Sequence, residues 1–259
     1  MPVSTKFVAF GCPHAPLQDN DHIEWLCGVI KKHKPDYLLC LGDLHEMDSA
    51  SRWPSEYDFS LHDEYIAANE LLRKVRMSAP KSCNCVLLPG NHDDNLMEIG
   101  RVNHKLRDLT CWRQQQWYES KWINEELLTK WNHKTPYDYS SKGVFRLGQV
   151  SFIHGYEASQ SADEIQSILL GVPEGLTVGS HTHKPVAVSQ ALKTKQVPLP
   201  FYYANTGCSR TMECSYMKRK RQNQWGQGAV IGDCMAKGIG AVMPTSKQWN
   251  AETLVRSMY

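Results

Sequence analysis

Histidine, aspartate, asparagine and cysteine recur along the chain in five short clusters, and each cluster contains a glycine. Imidazole and carboxylate groups are ligands that suit Mn, Fe and Zn, and a carboxylate oxygen can bridge two such ions. Glycine permits tight turns and close backbone approach. The clusters therefore predict metal-dependent chemistry, and they are Gly11-Cys12-Pro13-His14, Gly42-Asp43-Leu44-His45-Glu46, Gly90-Asn91-His92-Asp93, His154-Gly155 and Gly179-Ser180-His181-Thr182-His183.

The elements that must position these clusters are β-strands, because each cluster follows the end of a short apolar or β-branched run. In open α/β sheets the carboxyl ends of the strands share one edge, where ligands gather. We therefore expect the clusters to meet at one edge, although they are far apart in sequence. The predicted strands span residues 6–10, 37–41, 85–88, 144–147, 150–154, 176–178, 186–192 and 201–204.

Two helical patterns separate the early predicted strands. Apolar residues recur at helical spacing over residues 21–33, where Pro35 ends the pattern, and again over residues 65–77. Strands that alternate with helices indicate βαβ units, whereas the strand-rich second half of the chain indicates a second sheet. Because the sequence shows no repeat and no linker-like stretch, residues 1–259 are predicted to form a single α/β domain.

Residues from about 95 to about 140 differ from the rest of the chain, since they are polar and rich in tryptophan, with helical spacing and no strand signal. We predict a helical, cap-like insertion within the domain. Trp112, Trp117, Trp122 and Trp131 are interpreted as packing anchors, and base stacking is the alternative.

Composition and charge argue against some classes of protein. The net charge is +2 and no stretch approaches the roughly 18 apolar residues of a membrane span, so a membrane protein is not indicated. The nine cysteines form no CxxC pair and the N-terminus has no signal-like apolar run, which predicts a cytoplasmic protein. The basic run Lys218-Arg219-Lys220-Arg221 is interpreted as a solvated turn, with a phosphate-tracking patch as the alternative.

The ordered set of clusters resembles the calcineurin-like metallophosphoesterases, whose pattern runs Asp-x-His, Gly-Asp, Gly-Asn-His-(Asp/Glu), His and Gly-His-x-His. The resemblance spans residues 12–183, and its most specific part joins Gly90-Asn91-His92-Asp93 with His181-Thr182-His183. It implies a layered αββα sandwich of two packed mixed sheets flanked by helices. It also implies a phosphoester hydrolase that uses two transition-metal ions, either Mn, Fe or Zn.

The resemblance also implies roles for individual residues. Asp43 would bridge the two ions, and His92 would protonate or hydrogen-bond the leaving oxygen. Asp93 would either orient the His92 ring or serve as a helix cap or turn residue. The first ion would be held by Cys12, His14, Asp43 and His183, and the second by Asp43, Asn91, His154 and His181.

The implied reaction is attack of a metal-bridging hydroxide on phosphorus, since two cations polarise the phosphoryl oxygens and lower the pKa of a shared water. Asn91 and His92 would contact the substrate, with His45 and Arg219 as further candidates. Glu46 would either support a metal ligand or begin a helix.

Two positions depart from the family pattern. Cys12 stands where the family has its first Asp, and Ser180 separates Gly179 from His181, where the family has Gly directly before His. A thiolate keeps the negative charge of a carboxylate but is softer, and it favours Zn or Fe over Mg or Ca. The first departure therefore bears on which metal binds and on whether one or two ions are held.

The favoured function is hydrolysis of phosphoesters, as a phosphodiesterase acting on a nucleotide or a nucleic acid. The tryptophan-rich insertion and the basic run favour this substrate class, because the fold alone does not select one. One alternative is a degenerate family member that binds protein or nucleic acid without hydrolysis, and Cys12 is its support. A thiol enzyme with Cys12 as nucleophile is disfavoured, because no phosphate-cradling loop ending in Arg surrounds it.

Overall fold

The computed structural model describes residues 4–51, 57–93, 95–106, 144–155, 175–191, 201–213, 224–234 and 239–245. The helices are α1 (Asn20–His33), α2 (Leu61–Met77) and α3 (Asn95–Val102), with short 3-10 turns at Asp48–Ala50 and His104–Leu106. The strands are β1 (Thr5–Phe10), β2 (Tyr37–Cys40), β3 (Asn84–Leu87), β4 (Phe145–Leu147), β5 (Val150–Phe152), β6 (Leu176–Gly179), β7 (Val186–Ala191), β8 (Phe201–Asn205), β9 (Ala229–Cys234) and β10 (Ile239–Thr245).

The strands form two five-stranded mixed sheets. The first sheet has the order β10-β9-β1-β2-β3. Strands β1, β2 and β3 are parallel to one another, β9 is antiparallel to β1, and β10 is antiparallel to β9. The second sheet has the order β4-β5-β6-β8-β7, in which β5, β6 and β8 are parallel between antiparallel edge strands. Parallel strands therefore form one side of the first sheet and the centre of the second, and in each sheet their carboxyl ends share one edge.

Two apolar layers explain why the sheets stack. Successive side chains of a strand point to opposite faces, so Phe7 and Ala9 of β1 belong to the layer between the sheets, whereas Val8 and Phe10 belong to the layer beneath the helices. The rings of Phe7 and Phe152 meet edge-on between the sheets, with centroids 4.9 Å apart. The predicted α/β sandwich of two packed mixed sheets is confirmed. Helices that would flank the second sheet would lie outside the described residues, so this part of the layering stays a prediction.

Helices α1 and α2 cover the outer face of the first sheet, and both begin earlier than their apolar spacing predicts. The Asp19 carboxylate caps α1 by accepting a hydrogen bond from a backbone N–H of the first turn, at 3.0 Å. Ser60 and Asp63 form a capping box, so that α2 begins at Leu61 rather than at residue 65. Ile66, which the spacing placed on the apolar face, is 45% exposed.

Every predicted strand is present within one or two residues of its predicted bounds. Strands β9 and β10 were not predicted, because Gly232 and Asp233 interrupt the pattern of the former, while Gly240 and Pro244 interrupt that of the latter. The predicted cap-like insertion begins with α3, but residues 107–143 lie outside the described residues. The single-domain and cap assignments therefore stay predictions.

The structure also bears on the state of the cysteines and on whether a helix could cross a membrane. All cysteines in the described ranges are buried and free. In the described part of the chain, every helix is too short or too polar to cross a lipid bilayer.

Candidate metal centre

The predicted clusters meet at the edge where the parallel strands of both sheets end. Backbone hydrogen bonds join the loops after neighbouring strands: the Cys12 N–H donates to the Gly42 carbonyl at 3.0 Å, and the Ser180 N–H donates to the His154 carbonyl at 3.0 Å. The residues brought together are Cys12 and His14 after β1, Asp43 after β2, Asn91 and His92 after β3, His154 after β5, and His181 and His183 after β6.

The first ligand group consists of Cys12, His14, Asp43 and His183. One donor atom from each lies within 4.8 Å of the donor atoms of the other three, and all of these side chains are buried. Nε2 of His14 is 3.1 Å from Nε2 of His183 and 3.6 Å from Oδ2 of Asp43. Sulfur, nitrogen and oxygen donors therefore converge on one small volume.

The second ligand group consists of Asp43, Asn91, His154 and His181. Donor atoms of Asp43, His154 and His181 lie within 4.8 Å of one another. Nε2 of His154 is 3.3 Å from Oδ2 of Asp43, 3.0 Å from Oδ1 of Asn91 and 3.3 Å from Nδ1 of His181. Because Asp43 belongs to both groups, its carboxylate can bridge two ions.

The backbone of the first ligand group is left-handed at every member. The φ angles are 49° at Cys12, 50° at His14, 48° at Asp43 and 59° at His183. Non-glycine residues rarely adopt this conformation, which costs of order 1–3 kcal/mol at each position. Such strain clusters at functional sites, where the surrounding structure holds it in place. The presence of this backbone strain at all four members of the first ligand group is independent support for a functional site.

Gly90 allows the loop after β3 to pass directly over Asp43. A Cβ atom added at Gly90 would collide with the side chain and the backbone nitrogen of Asp43. The N–H of His92 donates to Oδ1 of Asp43 at 2.9 Å, which leaves Oδ2 near His14 and His154. The glycine of this cluster therefore allows the shared carboxylate to be held between the two groups.

The arrangement of donor atoms fits a bound cation. Nδ1 of His154 donates to the Leu41 carbonyl at 2.7 Å, so the proton of a neutral ring is on Nδ1. Nε2 then presents a lone pair to the oxygens of Asp43 and Asn91, at 3.3 and 3.0 Å. Lone pairs that face one another in a buried site are unfavourable unless a positive charge lies between them, and either a proton on Nε2 or a metal ion supplies one. The residues present therefore suit a metal ion.

Electrostatics favour the metal-binding forms of His14, His181, His183 and Asp43, but they favour the protonated forms of His154 and Cys12. Burial lowers the pKa of His154 but Asp43 more than offsets this and raises it, and burial raises the pKa of Cys12 well above its usual value. Burial lowers the pKa of His14 and of His183 well below the usual value, and it lowers the pKa of His181 to about 4. Burial alone would raise the pKa of Asp43, but the neighbouring His154 lowers it well below its usual range. Neutral imidazoles and an ionised carboxylate are the protonation states that ligate metal ions.

Comparison with known proteins identifies the family. The sequence profile described as calcineurin-like phosphoesterase matches residues 5–203. The chain belongs to the calcineurin-like phosphoesterase family. A search of curated proteins gives no significant match.

Some solved structures resemble this chain at low sequence identity. A metallophosphoesterase from Sphaerobacter thermophilus is 13% identical over 99% of this chain and 93% of its own, with a TM-score of 0.48. Vps29 from Entamoeba histolytica, solved in complex with Zn²⁺, is 12% identical over 93% of this chain and 98% of its own, with a TM-score of 0.39.

Glu46 and Arg210 contribute contacts to the centre, although neither is among the predicted metal ligands. Oε2 of Glu46 lies 2.6 Å from Nδ1 of His14, 3.3 Å from Nη1 of Arg210 and 3.7 Å from Nδ1 of His92. Arg210 is fully buried, and its guanidinium lies 5.8 Å from the ring centroid of Trp225. Glu46 therefore supports a predicted ligand and does not begin a helix, whereas no sequence signal pointed to Arg210.

His92, the predicted acid, stands at the accessible side of the centre. Its side chain is 26% exposed, and its Nδ1 donates to the Glu46 carbonyl at 2.7 Å. Burial lowers the pKa of His92, but the carboxylates of Asp43 and Glu46 more than offset this and raise it above the usual value. Because Nδ1 is committed to the carbonyl, Nε2 is the atom that can carry and release a second proton.

The contacts of Asp93 favour the second of its two predicted roles, that of a turn residue, and those of His45 argue against its predicted contact with a substrate. The ring that Asp93 contacts is that of His45, whose Nδ1 donates to Oδ1 at 2.9 Å, and not that of His92. Asp93 also accepts a hydrogen bond from a backbone N–H of its own turn at 2.8 Å, so it is a buried turn residue. His45 is fully buried against Asp93 and Tyr65, which removes it from contact with a substrate. Arg219 lies outside the described residues.

Proposed function

We propose that the protein is a metal-dependent hydrolase of phosphoesters, and that it is a phosphodiesterase acting on a nucleotide or a nucleic acid. The observation that carries the proposal is the sharing of Asp43 by two adjacent ligand groups. Family membership supports the phosphoester chemistry. Hydrolysis also needs a proton for the leaving oxygen, and His92 stands beside Asp43 with its pKa raised.

The ions would be Mn, Fe or Zn, because both groups offer the nitrogen and oxygen donors that suit these metals. When bound, two such ions would polarise the phosphoryl oxygens and activate a water nucleophile. Asp43 would set the separation of the ions, since its carboxylate is buried and held by the His92 N–H. The first ion would be held by Cys12, His14, Asp43 and His183, and the second by Asp43, Asn91, His154 and His181.

His92 would deliver the proton to the leaving oxygen. The Glu46 carbonyl holds its Nδ1 proton, so Nε2 is the donor atom. The carboxylates of Asp43 and Glu46 favour the imidazolium form, which supplies a proton and stabilises negative charge as the P–O bond breaks. Asn91, which is partly exposed, would contact the phosphoryl group as well as the second ion.

The substrate class is proposed from two segments outside the described residues. Trp112, Trp117, Trp122 and Trp131 offer aromatic faces on which bases can stack. The basic run at residues 218–221 offers charges that can neutralise backbone phosphates. Replacing the four basic residues with serine should weaken binding of single-stranded nucleic acid and flatten its salt dependence. An unchanged salt slope would contradict a nucleic-acid substrate.

Hydrolysis of a chromogenic phosphodiester, measured with Mn²⁺ and with a chelator, tests the reaction. Asp43→Asn removes the shared ligand, whereas His92→Ala removes the acid and no member of the two proposed ligand groups. Asp21→Asn and His62→Ala are matched controls, because both residues are exposed on helices. Metal-dependent turnover that the site variants lose and the controls keep is the expected result.

Absence of turnover with any metal would contradict the proposal and favour the alternative, in which the chain binds protein or nucleic acid without hydrolysis. The observation behind that alternative is Cys12 in place of the family aspartate. Turnover that survives the chelator and disappears in Cys12→Ser would instead indicate a thiol mechanism.

A further inference from the structure

The two positions that depart from the family pattern are in contact with each other. Sγ of Cys12 lies 3.0 Å from Oγ of Ser180, although the two residues are 168 positions apart in the chain. Both side chains are fully buried. A serine hydroxyl can donate a hydrogen bond to a thiolate, and the sulfur can accept it. Because Cys12 and Ser180 are in contact, we interpret the two departures from the family pattern as one coupled change.

Two neighbours of Ser180 determine what its hydroxyl can do. Oγ of Ser180 is 3.1 Å from the Gly207 carbonyl and 3.1 Å from Oγ1 of Thr206, which is itself 2.9 Å from the same carbonyl. Each hydroxyl carries a single proton. Thr206 can satisfy the Gly207 carbonyl, which can also accept from Ser180, so the Ser180 proton can be directed either at that carbonyl or at the Cys12 sulfur. The Thr206 and Ser180 hydroxyls together can therefore orient the Ser180 O–H as a hydrogen-bond donor to the Cys12 sulfur.

Ser180 also fills the space beside Cys12. A Cβ atom added at the preceding Gly11 would collide with Oγ of Ser180, and Cys12 itself has no exposed surface. The carboxylate of an aspartate at position 12 is bulkier than a thiol, so it would need room that the serine occupies. Glycine at position 180, the residue that the family pattern has before its histidine, would provide that room.

We propose that Ser180 is a positioning residue that holds the Cys12 sulfur as a ligand of the first ion, and that this pair selects a thiophilic metal there. Groups that hydrogen-bond a metal ligand orient it and tune the metal it binds. A thiolate selects softer metals than a carboxylate does, so the first position prefers Zn or Fe. The inference rests on the proposed metal centre, but not on the proposed reaction or its substrate.

Titration of the chelator-treated protein with Cd²⁺ tests the inference without measuring turnover. A Cd²⁺-bound thiolate absorbs in the ultraviolet by charge transfer, and comparison with Cys12→Ser isolates the band that is due to Cys12. Ser180→Ala should keep this band but weaken Cd²⁺ affinity by about 10- to 100-fold. Ser151→Ala is the matched control, because Ser151 is equally buried and its Oγ has no hydrogen-bond partner among the described residues.

Equal Cd²⁺ affinity in Ser180→Ala and Ser151→Ala, with melting curves showing both variants folded, would overturn the inference. The lack of any band that depends on Cys12 would also overturn it. In either case, Mn²⁺ binding that depends on Asp43 would show that the metal centre itself stands. Failure of the unmodified protein to bind any ion would overturn the inference and the metal centre together.

Reversal of both departures provides a second test. Cys12→Asp alone should bind Mn²⁺ poorly, because the carboxylate collides with Ser180. Cys12→Asp combined with Ser180→Gly should regain Mn²⁺ affinity and lose the preference for Cd²⁺, with a coupling between the two changes of about tenfold or more. Effects that simply add would overturn the coupling.

Discussion

The two ligand groups share Asp43 but are built differently. In the first group every member is buried, every backbone is left-handed and one donor is a thiol. In the second group Asn91 and His181 are partly exposed. Asn91, His154 and His181 also keep ordinary backbone conformations. One half of the centre is therefore strained and closed, and the other half is relaxed and open.

The difference in exposure and backbone strain indicates that the first and second metal positions have different roles. A closed group of ligands can hold an ion permanently, whereas a catalytic metal needs an open position for water or substrate. We therefore expect the second position to meet the phosphoryl group. Substitutions in the two groups should differ in what they abolish.

The largest expected effect belongs to Asp43→Asn, because it removes the only ligand that both groups contain. This variant should lose both ions and all metal-dependent turnover. His181→Ala should lose the second ion alone and keep the Cys12-dependent band with Cd²⁺. Elemental analysis of the metal content checks both expectations. Identical metal contents in the two variants would contradict the division of the centre.

His92→Ala should lower kcat by about 100- to 10,000-fold, because it removes the acid for the leaving oxygen. Metal content should not change, since the ring lies outside both ligand groups as we define them. The exposed His62→Ala is the control. A loss of bound metal in His92→Ala would show that His92 is a ligand and would move it into one of the groups.

Glu46→Gln should weaken binding of the first ion by about 10- to 100-fold, because it removes the charge beside Nδ1 of His14. The second ion should be much less affected. Glu70→Gln, an exposed change on α2, is the matched control. Competitive titration with Cd²⁺ and Mn²⁺ separates the two positions, and equal weakening at both would count against the assignment of Glu46.

The smallest effect concerns pH. Burial, with the negative charge of Asp43, raises the pKa of Cys12 well above its usual value, so the thiol proton must leave when the first ion binds. Below that pKa protons compete with the ion, and Cd²⁺ affinity should rise by about tenfold per pH unit near neutrality. Cys12→Asp combined with Ser180→Gly carries a carboxylate that is already ionised, so its affinity should be nearly flat. An equal rise in both proteins would exclude Cys12 as the titrating ligand.

Much of the centre could be predicted because its signals are local. A glycine beside a polar residue after an apolar run predicts a strand end, and parallel strands bring their ends to one edge. This reasoning is enough to expect Asp43 near Asn91, since their strands lie in the same sheet, and His154 near His181 in the other sheet. The approach of Asp43 to His154 also depends on how the two sheets pack.

Other parts of the centre depend on contacts that no local pattern encodes. Arg210 reaches Glu46 from 164 positions away, and a buried arginine has no characteristic spacing. Asp93 meets His45 and not His92 because the turn at residues 90–93 directs its carboxylate toward the loop after β2. Left-handed backbone at non-glycine residues also cannot be predicted from a local sequence pattern, because the surrounding structure imposes it.

The pairing of β9 with β1 has a consequence for the order of events in folding. The register joins Thr5 to Cys234 and Ala9 to Val230, so the strand that leads into Cys12 and His14 is synthesised more than 200 residues ahead of this neighbour. Until residues 229–234 have left the ribosome, one side of β1 presents unpaired amides and carbonyls, which are a template for association with other chains. A nascent chain, or a fragment that stops before Ala229, should therefore need protection from aggregation before it can hold metal.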